Sequence, residues 1–207
     1  AAMTEGTAGL QYSPDGRRIL LFPAGHVEIW DVTDGPTRVG SFQVTSALGS
    51  VSFNQAGSRI AVGEYRNVAW IWDIRSAKRL SPAFQHDRAV GAVAFSNDGT
   101  LLATGSRDQR ARLWSIDDGD EVGLAMHHSA RVEGVGFSPD DTVLATASED
   151  GVLRLWDVQT HKQIGAPRRL GTTGFGVIFA PDGQQIVTHS SSMSLWHVAT
   201  GRLYPSP

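Results

Sequence analysis

Five times along the chain an apolar-x-aromatic run, four turn-forming residues and a second apolar run follow one another. They read LQYSPDGRRILLF from Leu10, VSFNQAGSRIAVG from Val51, VAFSNDGTLLATG from Val93, VGFSPDDTVLATA from Val135 and VIFAPDGQQIVTH from Val177. Period-two alternation broken by a short turn predicts a β-hairpin in each. Pro14, Pro139 and Pro181 preset φ at the first central turn position, and Gly16, Gly57, Gly99 and Gly183 stand where φ > 0 is expected. Asp141 takes that place in the fourth string, where Asp tolerates the left-handed region at modest strain. A third strand follows in HVEIWDV, VAWIWDI, RARLWSI, VLRLWDV and SMSLWHV, with Trp and its period-two neighbours on one face. A more polar fourth segment (PTRVGSF, KRLSPAF, GDEVGLAM, HKQIGAP, GRLYP) has the charges and prolines of an outer edge strand.

The third-strand tryptophans Trp30, Trp72, Trp114, Trp156 and Trp196 recur at intervals of 42, 42, 42 and 40 residues. Such a period marks stacked supersecondary units, none of which buries its apolar face alone. The expected fold class is all-β: five repeats of about 42 residues, spanning 8–48, 49–89, 90–131, 132–173 and 174–207, each a four-stranded antiparallel sheet. Residues 1–7, with Ala-Ala ahead of Met3, are read as a flexible lead-in or an expression remnant.

Trp-Asp closes the third strand at Trp30-Asp31, Trp72-Asp73 and Trp156-Asp157, while Trp114-Ser115 and Trp196-His197 replace it in the other units. In these residues the chain resembles the WD-repeat (WD40-type) family of β-propellers, from about Leu10 to Tyr204. The resemblance implies blades around a central channel, braced by a tetrad of His, Ser/Thr, Asp and Trp. His86, Thr104, Asp108 and Trp114 match the tetrad in the third unit, and His128, Thr146, Asp150 and Trp156 in the fourth. Val44 and Leu170 replace the His in the second and fifth units; Ala24, Arg66 and Ser190 stand at the Asp position in the first, second and fifth. Those units are expected to rely on packing alone.

The family's partner-recruiting face carries the residue before the tetrad Asp and the residues after the tetrad His. Here these are Arg107 and Glu149, with Tyr65 as their equivalent in the second unit, and Arg88 and Arg131. The expected function is a noncatalytic scaffold binding a protein or peptide through its loop face. The alternatives are a regulatory or sensor module of a larger multidomain enzyme, or a propeller fragment that self-assembles through its terminal blades. Propellers of this family most often have seven blades, so five units imply a small closed ring, an open arc, or part of a larger propeller.

Composition agrees with a folded, turn-rich β chain: 41% apolar, 19% charged and 23 glycines. A net charge of −3 gives no attraction to phosphate or anionic lipid, so neither nucleic acid nor membrane is an expected partner. Arg168-Arg169 and the Arg107, Arg110, Arg112 group are read as solvated strand faces. The absence of cysteine removes thiolate metal sites, catalytic thiols and disulfides. No nucleophile elbow, HExxH, P-loop or GxGxxG string occurs, and the chain is read as no enzyme, with no cofactor. His127 and His128 point to opposite sides of extended chain, and the turn residues Asp15, Asp98, Asp140 and Asp182 are single carboxylates, so no metal is expected. No apolar run is long enough to span a membrane and no signal-like segment opens the chain; the expected location is cytoplasmic.

Overall fold

The computed structural model describes residues 10–22, 25–44, 46–170, 176–189 and 193–204. The lead-in and two of the Asp-position residues, Ala24 and Ser190, lie outside them. Among the described residues every regular element is a strand. Unit 1 holds β1 (Leu10–Tyr12), β2 (Arg18–Leu21), β3 (His26–Asp31) and β4 (Thr37–Gln43). Unit 2 holds β5 (Leu48–Phe53), β6 (Arg59–Glu64), β7 (Val68–Asp73), β8 (Lys78–Arg79) and β9 (Phe84–Gln85). Unit 3 holds β10 (Val90–Phe95), β11 (Leu101–Ser106), β12 (Arg110–Ser115) and β13 (Met126–His127). Unit 4 holds β14 (Val132–Phe137), β15 (Val143–Ser148), β16 (Val152–Asp157) and β17 (Gln163–Arg169). Unit 5 holds β18 (Gly176–Phe179), β19 (Gln185–His189) and β20 (Met193–His197).

Each unit is an antiparallel meander with its strands in chain order. The fourth strand varies most. In unit 2 it breaks into β8 and β9, both paired with β7, around Pro82, which has no N–H for the ladder. In unit 5 it shrinks to a bridge between Trp196 and Leu203, leaving three strands where four were expected.

Register explains how the units stack. Tyr12 pairs with Ile19 and Ile19 with Trp30, a cross-strand row repeated as Phe53–Ile60–Trp72, Phe95–Leu102–Trp114, Phe137–Leu144–Trp156 and Phe179–Ile186–Trp196. Alternation puts the intervening residues, such as Ala145 and Leu155, on the opposite face. The row of each of units 2 to 5 buries against the opposite face of the unit before it. Four apolar cores result, joining units 1 and 2, 2 and 3, 3 and 4, and 4 and 5. Among the described residues no such core joins unit 5 to unit 1.

The hairpin turns are also stitched together. Asp141 adopts φ 58°, as expected at the glycine position. Its carboxylate accepts the N–H groups of Asn97 at 2.8 Å and Asp98 at 2.9 Å in unit 3, and the Asn97 amide at 2.9 Å. The strained residue thus clamps two blades. Replacing it with glycine would relax the backbone but delete three hydrogen bonds, so Asp141→Gly should cost about 1 kcal/mol in urea denaturation. A more stable variant would show the clamp to be worth less than the strain.

Candidate functional site

In unit 3 the indole N–H of Trp114 donates to Thr104 Oγ1 at 2.8 Å, His86 Nε2 lies 2.7 Å from the same oxygen, and His86 Nδ1 lies 2.9 Å from Asp108 Oδ2. The chain of contacts therefore runs Trp–Thr–His–Asp. A fifth member joins it: Arg112 Nη1 is 2.9 Å from Asp108 Oδ2 and 2.7 Å from His86 Nδ1. Burial pushes the Asp108 carboxyl up, but the His86 hydrogen bond and charge, the Asp87 N–H and Arg112 outweigh it and hold it far below the usual carboxylate range.

Unit 4 departs from the expected tetrad. Trp156 donates to Thr146 at 2.8 Å and His128 Nε2 lies 3.1 Å from Thr146, but Arg154 stands between the His and the Asp. Its Nη1 donates to His128 Nδ1 at 2.9 Å and its Nη2 pairs with Asp150 Oδ2 at 2.9 Å. Because Nδ1 accepts, Nε2 carries the proton and donates to Thr146. Burial, then the Arg154 charge, pushes the His128 imidazole down to about 4. His127 is exposed beside it. Arg112 and Arg154 are mostly enclosed in these networks, so Arg112 is not the solvated strand residue the charge pattern implied; each stands two residues before its Trp. Arg168, also read as solvated, turns a guanidinium N–H to the Val198 carbonyl of unit 5.

Packing alone describes only unit 2, where Val62 occupies the Thr position, Phe42 stacks on Trp72 at 4.1 Å, and the buried indole N–H has no hydrogen-bond partner. In unit 5 the Trp196 N–H still donates to Thr188 at 3.0 Å. In unit 1 the Trp30 N–H donates to Glu28 at 3.0 Å, and Glu28 also pairs with Arg38 at 3.0 Å. Thr104 and Thr146 are fully buried and engaged by indoles, so neither hydroxyl can meet a substrate.

The inner strands β1, β5, β10, β14 and β18 border a channel of about 360 Å³. The middle residue of each apolar-x-aromatic run lines it: Gln11, Ser52, Ala94, Gly136 and Ile178. So does Glu133, a carboxylate with 4% side-chain exposure on β14. Around Glu133 the structure gathers four of the five partner-face residues. Arg107 Nε lies 3.8 Å and Arg131 Nε 3.5 Å from its Oε1, Arg131 pairs again with Glu149, and Arg107 stacks over the Tyr65 ring at 4.4 Å while donating to its hydroxyl at 3.1 Å. Burial raises the Glu133 carboxyl against the pull of the two guanidiniums. Arg88 stands apart. Its side chain is exposed and forms no hydrogen bond or ion pair among the described residues, while its carbonyl accepts the Ser106 hydroxyl at 2.9 Å.

Glu133 itself was not among the expected residues. Its signal is a lone acid in VEGVGF, where the matching positions of units 2 and 3 are Gly49 and Gly91. A Cβ at Gly91 would lie 2.6 Å from Glu133 Oε2, so a side chain there would displace the carboxylate. Among the described residues no group of three or more His, Asp or Glu side chains is placed to hold a metal ion.

The family model for the WD domain, G-beta repeat (WD40), matches twice, over residues 79–115 and 122–157. Each match takes in one whole tetrad, with its His, Thr, Asp and Trp. The chain carries two WD40 repeats, and its repeated antiparallel sheets are consistent with a WD-repeat propeller. Modules of this kind are generally noncatalytic protein-interaction scaffolds. No curated protein matches the chain.

Proposed function

We propose that this WD-repeat chain is a noncatalytic scaffold that binds a protein or peptide at the channel mouth, through Tyr65, Arg88, Arg107, Arg131 and Glu149. One observation carries the reading: Arg107 and Arg131 converge on the buried Glu133 beside Tyr65, so their outer N–H groups are fixed in direction before any partner arrives. Preorganised Arg and Tyr side chains lose little freedom on binding, and these residue types dominate interface hot spots. Exposed Arg88 adds a charge that no carboxylate among the described residues pairs with. Nothing in this arrangement supplies a reactive group to a substrate.

The test is affinity capture from lysate of the native host with the wild-type chain and with Arg88→Ala/Arg131→Ala. Loss of two anchors should weaken retention of a specific partner at least tenfold, since a single hot spot is worth roughly 2 kcal/mol. Equal retention by both forms would place the partner elsewhere and reject this face.

A further inference from the structure

Charge is divided between the two ends of the units. Away from the channel mouth lie the first hairpin turns and the links from third to fourth strand, where Asp98, Asp117, Asp118, Asp140 and Asp182 are exposed. At the mouth, the turns between second and third strands and the segments leading into β10 and β14 carry arginine instead: Arg66, Arg88, Arg107 and Arg131. Backbone hydrogen bonds tie these segments together. The Arg107 N–H donates to the Ala89 carbonyl at 2.9 Å and the Glu149 N–H to the Arg131 carbonyl at 3.0 Å. All of them belong to units 2 to 4, inside the unbroken described stretch 46–170.

The signs are also layered in depth. Glu64 is fully buried, Glu133 is 4% and Glu149 22% exposed, whereas the Arg107 and Arg131 side chains are 35% and 40% exposed and Arg66 and Arg88 stand in solvent. The one fully exposed carboxylate at this end, among the described residues, is Asp87, which Arg110 already holds at 2.7 Å. A partner approaching the mouth therefore meets guanidiniums first, on a chain whose total charge is −3. Their tips are uncommitted. The Nε atoms of Arg107 and Arg131 turn to Glu133 Oε1 and Arg107 Nη2 to the Tyr65 hydroxyl, but Arg107 Nη1 and both terminal nitrogens of Arg131 have no hydrogen bond or ion pair among the described residues.

We infer that the mouth receives an acidic peptide segment of the partner, with a carboxylate side chain held by the outer N–H groups of Arg107 and Arg131 as Glu133 is held by the inner ones. The two guanidiniums meet at a single oxygen of Glu133, so they stand close enough to share a second carboxylate. Hydrogen bonds of this kind, with both groups charged, are the strong and directional ones. Arg66 and Arg88 are exposed at the same end and attract the flanking acids of the segment, which speeds encounter and fixes its sign. A basic segment would meet like charge at every exposed tip. The inference rests on the channel mouth being the partner face and adds the chemistry of what binds there.

Fluorescence anisotropy with a fluorescein-labelled peptide of alternating Glu and Ser tests it, beside the same peptide with Lys for Glu. The acidic peptide should bind and the basic one should not, and raising the salt from about 0.05 M to about 0.5 M should weaken binding at least about fivefold. Arg107→Gln and Arg131→Gln, each with unchanged circular dichroism, should weaken it by about fivefold or more. Arg17→Gln, at the opposite end, should leave it unchanged. Excess acidic peptide should also displace the partner captured from lysate. Capture that is lost with Arg88→Ala/Arg131→Ala but not displaced by the peptide overturns the inference and leaves the mouth as partner face; capture indifferent to those substitutions overturns both. Equal binding of the basic peptide, or full binding by both Gln variants, also overturns it. So does about tenfold tighter binding of a phosphoserine-for-Glu peptide, which would assign the mouth to phosphate.

Discussion

Asp150→Ala is expected to destabilise the protein by about 2–4 kcal/mol, and most of that loss should belong to Arg154 rather than to His128. The Asp150 carboxylate accepts the N–H groups of Ser129 and Val152 and pairs with Arg154, whose side chain is only 12% exposed. Removing it leaves a mostly buried guanidinium whose one remaining partner among the described residues is a neutral imidazole, and an uncompensated charge there costs more than a lost neutral hydrogen bond. A double-mutant cycle separates the two accounts. With Arg154→Met added, the stranded charge is gone and more than half of the loss should return. If the second change instead adds its own full cost, Asp150 acts directly on His128. Arg66→Ala, at the equivalent exposed site of unit 2, should shift urea stability by no more than about 0.5 kcal/mol.

The fold could be read from the chain because each signal was local and repeated. Hairpin turns, period-two alternation and the Trp spacing fix which residues share a face, and stacking then has little choice left. The tetrad of unit 3 was readable for the same reason. What escaped was whatever depends on side chains crossing between units or between strands. Arg112 and Arg154 look like ordinary strand polar residues until the His loop is folded over them. Glu28 serves the Trp30 indole from the position that Arg112 and Arg154 hold in their own units, which no pattern centred on His and Asp could find. Glu133 gains its meaning from Arg107 and Arg131, two separate sequence neighbourhoods, and from a glycine on the adjacent blade that leaves it room. The partner-face residues were named one at a time from their place in the repeat; only the fold shows that four of them form a single cluster while Arg88 stays outside it.

Acidification should weaken the fold as pH falls below about 6.5, and His128 should carry that loss. Its imidazole is held at about 4, below the ordinary value of 6.5, because burial and the Arg154 charge resist a second positive charge. The unfolded chain accepts the proton that the folded chain refuses, so the contribution is complete above about pH 6.5 and drains away as pH falls toward 4, at up to about 1.4 kcal/mol per pH unit. The total is roughly 3 kcal/mol. His189, also pushed down by burial, acts with the same sign. Asp108 and Asp150 are lowered carboxyls, whose stabilisation is present above their ordinary value of 3.8 and lost only below it, outside this window. Glu133 opposes the trend, since a carboxyl raised by burial takes its proton more readily in the folded state and gains stability as pH falls through its raised value. The His128 share is isolated by difference: between pH 7 and 4.5 the wild type should lose about 2–3 kcal/mol more than His128→Gln, which has no proton to take up. Parallel stability curves for the two proteins would mean that His128 takes up its proton equally in the folded and unfolded chain, so that neither burial nor Arg154 holds its imidazole down.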